Sequence, residues 1–231
     1  VNILKDILVN AHMKITSIMK KITLLLALAA VTFACSNNAD KAETTEVGEA
    51  SGNAEAGLPL ISSTLKWTGK KLTGEHYGTV QVASGNLIVE EGQLTGGSFT
   101  MNMTTIVVED LTDPGYNKDL TDHLNSPDFF DTANHPEAKF DITGVEALAT
   151  ADAVGNTHTI SGNLTIKGIT NGIKFPATVN MTDGKVSAKA GFAIDRTLWD
   201  IKFKSGKFFP ELGDKAISDE IGIQLELLAG N

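Results

Sequence analysis

The chain has 231 residues, 42% of them hydrophobic, and a formal net charge of −9 at pH 7. That acidic balance, with no run of Lys and Arg to offset it, excludes a nucleic-acid-binding surface. A single cysteine, Cys35, excludes a disulfide framework and Cys-ligated zinc or Fe–S sites, so the fold must hold through its core.

Residues 1–18 fit no part of the plan that follows. They are expected to be upstream sequence or a misassigned start, with Met13 and Met19 both able to serve as starts. Residues 19–34 read as a lipoprotein signal peptide. Lys20 and Lys21 supply the basic start, residues 22–33 are apolar, and "TFAC" resembles a lipobox with Thr32 in place of the usual leucine. The apolar stretch is shorter than the roughly 20 residues a membrane-spanning helix needs. Cys35 then becomes the lipidated first residue. Residues 35–58 are polar and acidic with little to bury, and are expected to form a flexible tether. The arrangement predicts a lipid-anchored protein of a bacterial cell envelope, on its periplasmic side. Ser36 in place of a retention aspartate points to the outer membrane rather than the inner.

From residue 59 to 231 the pattern is that of one all-β domain. Apolar and polar residues alternate over 64–72, 77–92, 96–108, 138–145, 158–170, 172–181, 185–194 and 220–230, between Gly, Asn and Asp clusters. The segment 77–92 reads as two strands joined around Ser84–Asn86. Between 113 and 139 the alternation stops. Asp113–Pro114 and Ser126–Pro127 each form an N-cap and first-position pair, predicting two short helical turns that cap one end of the sheet. Hairpin-like links dominate and the one long connection is 109–137. That favours an eight-stranded antiparallel up-and-down barrel over a sandwich.

Phe99, Met101, Met103, Phe140, Phe175 and Phe192 fall on inward parities, where flexible methionines suit a variable apolar chain. Phe129 and Phe130 are placed either to close the barrel mouth or to anchor its cap. "FAIDRTLWDIKF" (192–203) puts Arg196 on the parity of Phe192 and Ile194, then changes register at Leu198–Trp199. A β-bulge or a bend at a barrel corner is the expected cause. An inward guanidinium needs a partner, and Trp67, Trp199 or a ligand head group are the candidates. No nucleophile elbow, phosphate loop or metal-ligand spacing occurs among the histidines, so no catalytic residue and no metal is assigned. The adjacent carboxylates Glu90–Glu91 and Glu109–Asp110 point to opposite sides of a strand and cannot work as a pair.

Four segments carry a resemblance: "WTGKKLTGEHYGTVQVASGNL" (67–87), "HLNSPDFFDTANHPEAKF" (123–140), "GNLTIKGITNGIKFP" (162–176) and "DRTLWDIKF" (195–203). In content and order they resemble the YceI-like family. The resemblance implies a lipocalin-like barrel that binds a polyisoprenoid lipid, such as an isoprenoid quinone or a polyprenyl phosphate, in its interior. It implies no enzyme activity and no cofactor beyond such a ligand. It implies a lipid site drawn from Trp67, Phe99, Met101, Met103, Phe129, Phe130, Phe140, Phe175, Phe192, Arg196 and Trp199. In lipocalin-type barrels a first-strand Trp packs against a late Arg to close the base, which offers the same role to Trp67 and Arg196. A self-filled scaffold and an enzyme on a small amphiphile are the competing readings. The oligomeric state stays open, a homodimer included.

Overall fold

The computed structural model describes residues 40–51 and 57–231. The expected signal peptide, the start at 1–18 and Cys35 lie outside these residues. Strand β1 is Glu43–Thr45 and β2 is Leu58–Lys71. Then follow β3 (Gly74–Glu90), β4 (Gln93–Val108), helix α1 (Pro114–Asn125), β5 (Glu137–Ala147), β6 (His158–Ile166), β7 (Ile169–Thr182), β8 (Lys185–Asp195) and β9 (Ile217–Ala229). From β2 to β9 each strand pairs antiparallel with its neighbour in the chain, and β9 returns to β2. The result is a closed eight-stranded up-and-down barrel, as the alternation predicts. Along β4, Phe99, Met101 and Met103 are buried while the residues between them are half-exposed. Period-two patterning is therefore sufficient to set which face of the strand meets the core.

Three hairpins turn on two residues with left-handed backbone, Glu91–Gly92, Lys167–Gly168 and Asp183–Gly184. Such turns match the twist of the flanking strands. The Lys167–Gly168 turn divides the segment read from sequence as one strand over 158–170. The reverse correction applies at 77–92. Ser84–Asn86 has turn composition, yet Gly85 and Asn86 pair with Phe99 and Ser98, and β3 is one long strand bent by register shifts after Thr79 and Val82.

Asp113 caps α1 as its sequence signals, its carboxylate accepting from the amides of Gly115 (2.9 Å) and Tyr116 (3.0 Å). Ser126 does not start a second helix. It ends α1, its hydroxyl donating to the His123 carbonyl at 2.8 Å, and the following residues form turns. One helix, not two, sits in the long connection.

Part of the expected flexible tether is a strand of the sheet. β7 pairs with β8 only over residues 177–182, and its earlier half is left without β8. There β1 pairs antiparallel with β7, Glu43 opposite Lys174, while Lys41 bridges parallel to Ala193 of β8. Ala42 is buried in this seam. The chain then crosses the barrel's outer face. Gly48 and Asn163 of β6 exchange two hydrogen bonds (3.0 and 2.7 Å), and the Ser51 amide donates to the Ile142 carbonyl of β5 at 2.8 Å. A Cβ on Gly172 of β7 would lie 2.3 Å from the Glu46 carbonyl oxygen, so the strap's path needs glycine there. Composition predicted disorder because it weighs what side chains can bury. The segment is held instead by backbone groups that β7 and β8 leave unpaired.

Candidate functional site

The barrel interior holds two cavities set end to end. The larger, about 110 Å³, occupies the half nearer α1. Its wall includes Leu65 and Trp67 of β2, Met101 and Met103 of β4, Ile173 of β7 and Ile223 of β9. The smaller, about 30 Å³, lies towards the far end. Both share Phe99, Phe140, Phe175 and Leu225 as wall. An aromatic partition therefore crosses the barrel between them. The Phe140 and Phe175 rings tilt against each other at 5.7 Å, and Phe175 stacks on Phe192 at 4.0 Å and 13°. Gly162 of β6 makes room for the partition, since a Cβ there would lie 2.3 Å from Phe140 Cζ.

Eight of the eleven side chains singled out in the sequence line the larger cavity: Trp67, Phe99, Met101, Met103, Phe130, Phe140, Phe175 and Phe192. Three do not. Phe129 packs with the His123 ring at 4.9 Å, edge to face, and Phe203 packs on the same ring at 4.6 Å. This trio ties the turn after α1 to the 200–209 loop, so Phe129 anchors the cap and Phe130 faces the cavity. The strand β8 ends at Asp195, and Arg196–Trp199 is a 3₁₀ turn closed by Asp200 in left-handed backbone. Of the two expected causes, a bend rather than a bulge therefore produces the parity change. Trp199 is fully buried beside the wall, its indole N–H donating to the Leu164 carbonyl at 3.0 Å.

Arg196 is 1% exposed and does not line the cavity, and among the described residues the cations placed over aromatic rings are lysines, not Arg196. Its guanidinium donates to the carbonyls of Ser218 (2.9 Å), Ile201 (2.8 Å) and Ile217 (3.1 Å), with the Asp219 carboxylate at 3.4 Å. Burial lowers its pKa, and the charges of Asp219 and Asp195 oppose that. The residue closes the barrel end by fastening the 3₁₀ turn and its loop to the start of β9. A planar five-donor fork suits this, because it satisfies several carbonyls at once. Sequence patterning did not find Leu65, Val80, Val82, Ile106 and Ile166 as part of the wall, although their inward parity is legible once the barrel's strands are aligned.

The His–carboxylate pairs stand away from the cavity. His76 Nδ1 lies 2.7 Å from Asp110, and His123 Nε2 lies 3.1 Å from Asp128. Neither histidine nor either aspartate lines the cavity. Among the described residues no cluster of three His, Cys, Asp or Glu is placed to hold a metal ion.

Comparison with known proteins bears on the whole barrel. The YceI-like domain model matches residues 60–229. A UPF0312 protein of Photorhabdus laumondii is 33% identical over 107 residues, 45% of this chain and 50% of that protein. One of Pectobacterium atrosepticum is 31% identical over 106 residues, 45% and 50%. The chain thus spans about half the length of the curated relatives it matches. Among solved structures, Burkholderia cenocepacia BcnA superposes with a TM-score of 0.55 at 21% identity, over 74% of this chain and 99% of that one. A polyisoprenoid binding domain from Saccharophagus degradans, implicated in plant cell wall breakdown, gives 0.54 at 12% identity, over 77% and 99%. At these identities the superpositions speak for the fold alone.

Proposed function

This chain belongs to the YceI-like family, and we propose that its barrel binds an isoprenoid-type lipid for carriage, storage or sequestration in the cell envelope. The observation that carries the reading is the wall of the larger cavity, whose lining side chains are all hydrocarbon, thioether or aromatic. Burying an apolar tail there yields roughly 25 cal/mol per Å² removed from water. The family, and the polyisoprenoid-binding neighbour that shares the fold, support a polyisoprenoid as that tail. A lipid anchor at Cys35 and an outer-membrane location belong to the same proposal, and rest on the export-signal pattern of residues 19–35.

One observation favours a second reading, a scaffold whose barrel is filled by its own side chains. A cavity of about 110 Å³ is smaller than the roughly 300 Å³ or more of common ligand sites. A long tail therefore requires Phe140, Phe175 and Phe192 to swing aside. Native mass spectrometry on protein purified from its own membranes separates the two. The lipid-binding reading expects added mass that organic extraction releases. A clean apo species, unchanged after incubation with isoprenoid quinones and polyprenyl phosphates, supports the scaffold.

A further inference from the structure

The segment "IKFKSGKFF" (201–209), in the connection from β8 to β9, holds three lysines, three phenylalanines and no carboxylate, in a chain of net charge −9. Phe208 and Phe209 are 41% and 43% exposed, while every other phenylalanine among the described residues is buried or half-buried. Large apolar side chains exposed side by side mark an interaction surface. The backbone holds these two in place. Ser205 is fully buried, and its carbonyl accepts from the amides of Phe208 (3.2 Å) and Phe209 (2.9 Å). The Ile217 amide donates to the Lys204 carbonyl at 2.8 Å, tying the base of the loop to the start of β9.

The cations beside the rings are not neutralised. Lys204 and Lys207 enter no ion pair among the described residues. Their ammonium groups stand 5.3 Å from the Phe203 ring and 5.7 Å from the Phe208 ring, and Lys207 also lies 3.5 Å from the Thr197 hydroxyl. The neighbouring carboxylates have partners of their own. Asp200 pairs with Lys202 at 2.5 Å, and Asp128 lies 3.1 Å from His123. Glu211 and Asp214 follow beyond Pro210, outside the Lys–Phe run. Exposed rings flanked by free lysines suit the boundary of an anionic bilayer, where rings enter the acyl region and ammonium groups meet phosphates.

Chain length sets which end of the barrel meets that bilayer. With a lipid on Cys35, the chain from Cys35 to Lys41 spans about 20 Å when fully extended. Lys41 bridges to Ala193 of β8. From Ala193 the strand runs about 7 Å to its end at Asp195 and about 27 Å back to its start at Lys185. The anchor therefore reaches the cap end of the barrel and falls short of the opposite end. The 201–209 loop leaves the barrel at that same cap end, where Phe203 packs on His123 of α1 at 4.6 Å.

We propose that the 201–209 loop is a membrane-docking surface. Phe208 and Phe209 enter the interface of an anionic phospholipid bilayer, Lys204 and Lys207 meet its phosphates, and the cap end of the barrel faces the membrane. The surface is independent of what the cavity holds. The orientation rests on the proposed Cys35 anchor, whereas the composition and exposure of the loop do not.

The test follows amide hydrogen exchange over 206–212 in protein purified from its own membranes and placed in vesicles of phosphatidylcholine, with or without phosphatidylglycerol. Phosphatidylglycerol should slow these amides by about tenfold or more relative to phosphatidylcholine alone. Lys204→Gln combined with Lys207→Gln should weaken docking about 25-fold, about fivefold per lysine near an anionic surface. Phe208→Ser combined with Phe209→Ser should abolish the protection. Absence of slowing in either vesicle overturns the proposal. So does equal slowing in both, which marks a surface indifferent to charge. Slowing that grows with protein density in phosphatidylcholine alone assigns the face to a second copy and also overturns it. The mass of the N-terminal peptide reports acylation of Cys35 separately. An unacylated chain whose loop still docks removes the anchor and keeps the surface. An acylated chain whose loop stays unprotected removes the surface and keeps the anchor.

Discussion

The Phe175 ring lies flat on the Phe192 ring, centroids 4.0 Å apart, just beyond the point where their strands stop hydrogen-bonding. Ala177 opposite Ala190 is the last β7–β8 pair before the strands part. The two side chains therefore hold across the seam what the backbones have released, and β1 fills the gap between them. The stack also lines the larger cavity, so seam, strap and cavity meet at one place.

Phe192→Ala tests whether the partition limits ligand length. Removing a buried ring should cost about 3–5 kcal/mol of stability by chemical denaturation. It should also enlarge the larger cavity, which Phe192 lines, and free the Phe175 ring that separates it from the smaller one. The expected outcome is tighter uptake of long tails relative to short ones, read by native mass spectrometry across a series of chain lengths. An unchanged length preference would show that the partition is not the barrier.

Gly162→Ala approaches the partition from behind. The new methyl would press on Phe140 and on the Asp141 carbonyl, forcing the ring into the cavity. Overpacking of this kind costs about 1–3 kcal/mol. Lower ligand capacity together with a lower melting temperature is expected. If the ring has free space to retreat into, calorimetry will find neither.

Arg196→Lys separates closure of the barrel from head-group recognition. A lysine cannot reach the Ile201, Ile217 and Ser218 carbonyls together. Stability should fall by about 2–4 kcal/mol. Lipid affinity of the folded fraction should stay at the wild-type value, because the guanidinium does not line the cavity. Selective loss of affinity in a fully stable variant would contradict that placement.

The strap can be lifted without touching the interior. Gly172 faces outward, so Gly172→Val puts bulk under the Glu46 carbonyl and leaves the cavity wall intact. Amide exchange at Ala42 and Ala193, which is slow while each is bonded across the seam, should speed up by an order of magnitude or more. Equal protection in both proteins would mean the strap finds another path.

Acid should loosen the same seam through Asp195. Burial pushes the Asp195 carboxyl up, but hydrogen bonds from Thr197 and the charge of Lys41, 3.4 Å away, outweigh it and leave the pKa lowered. A carboxylate whose folded pKa lies below its unfolded value, about 3.9, stabilises fully above that value. The contribution is lost as pH falls through the folded pKa. Asp195→Asn should therefore melt lower than wild type at neutral pH, and the difference should shrink as pH drops below about 4. A gap independent of pH would assign the effect to packing.

Much of this protein was decided by its sequence alone. Strict alternation of Phe99, Met101 and Met103 permits one inward face, because side chains on a strand have a period of two. The Asp113–Pro114 pair starts α1 where it does, because the carboxylate takes two amides the helix cannot satisfy itself. These are local constraints, and a local pattern suffices to read them. What only the tertiary structure decided involves groups far apart in the chain. Arg196 shares its parity with the cavity residues, yet its guanidinium turns to carbonyls 21 and 22 residues onward, which no periodicity encodes. The acidic segment around β1 looks unable to fold, and it is ordered by an opening between β7 and β8 that exists only once the barrel closes.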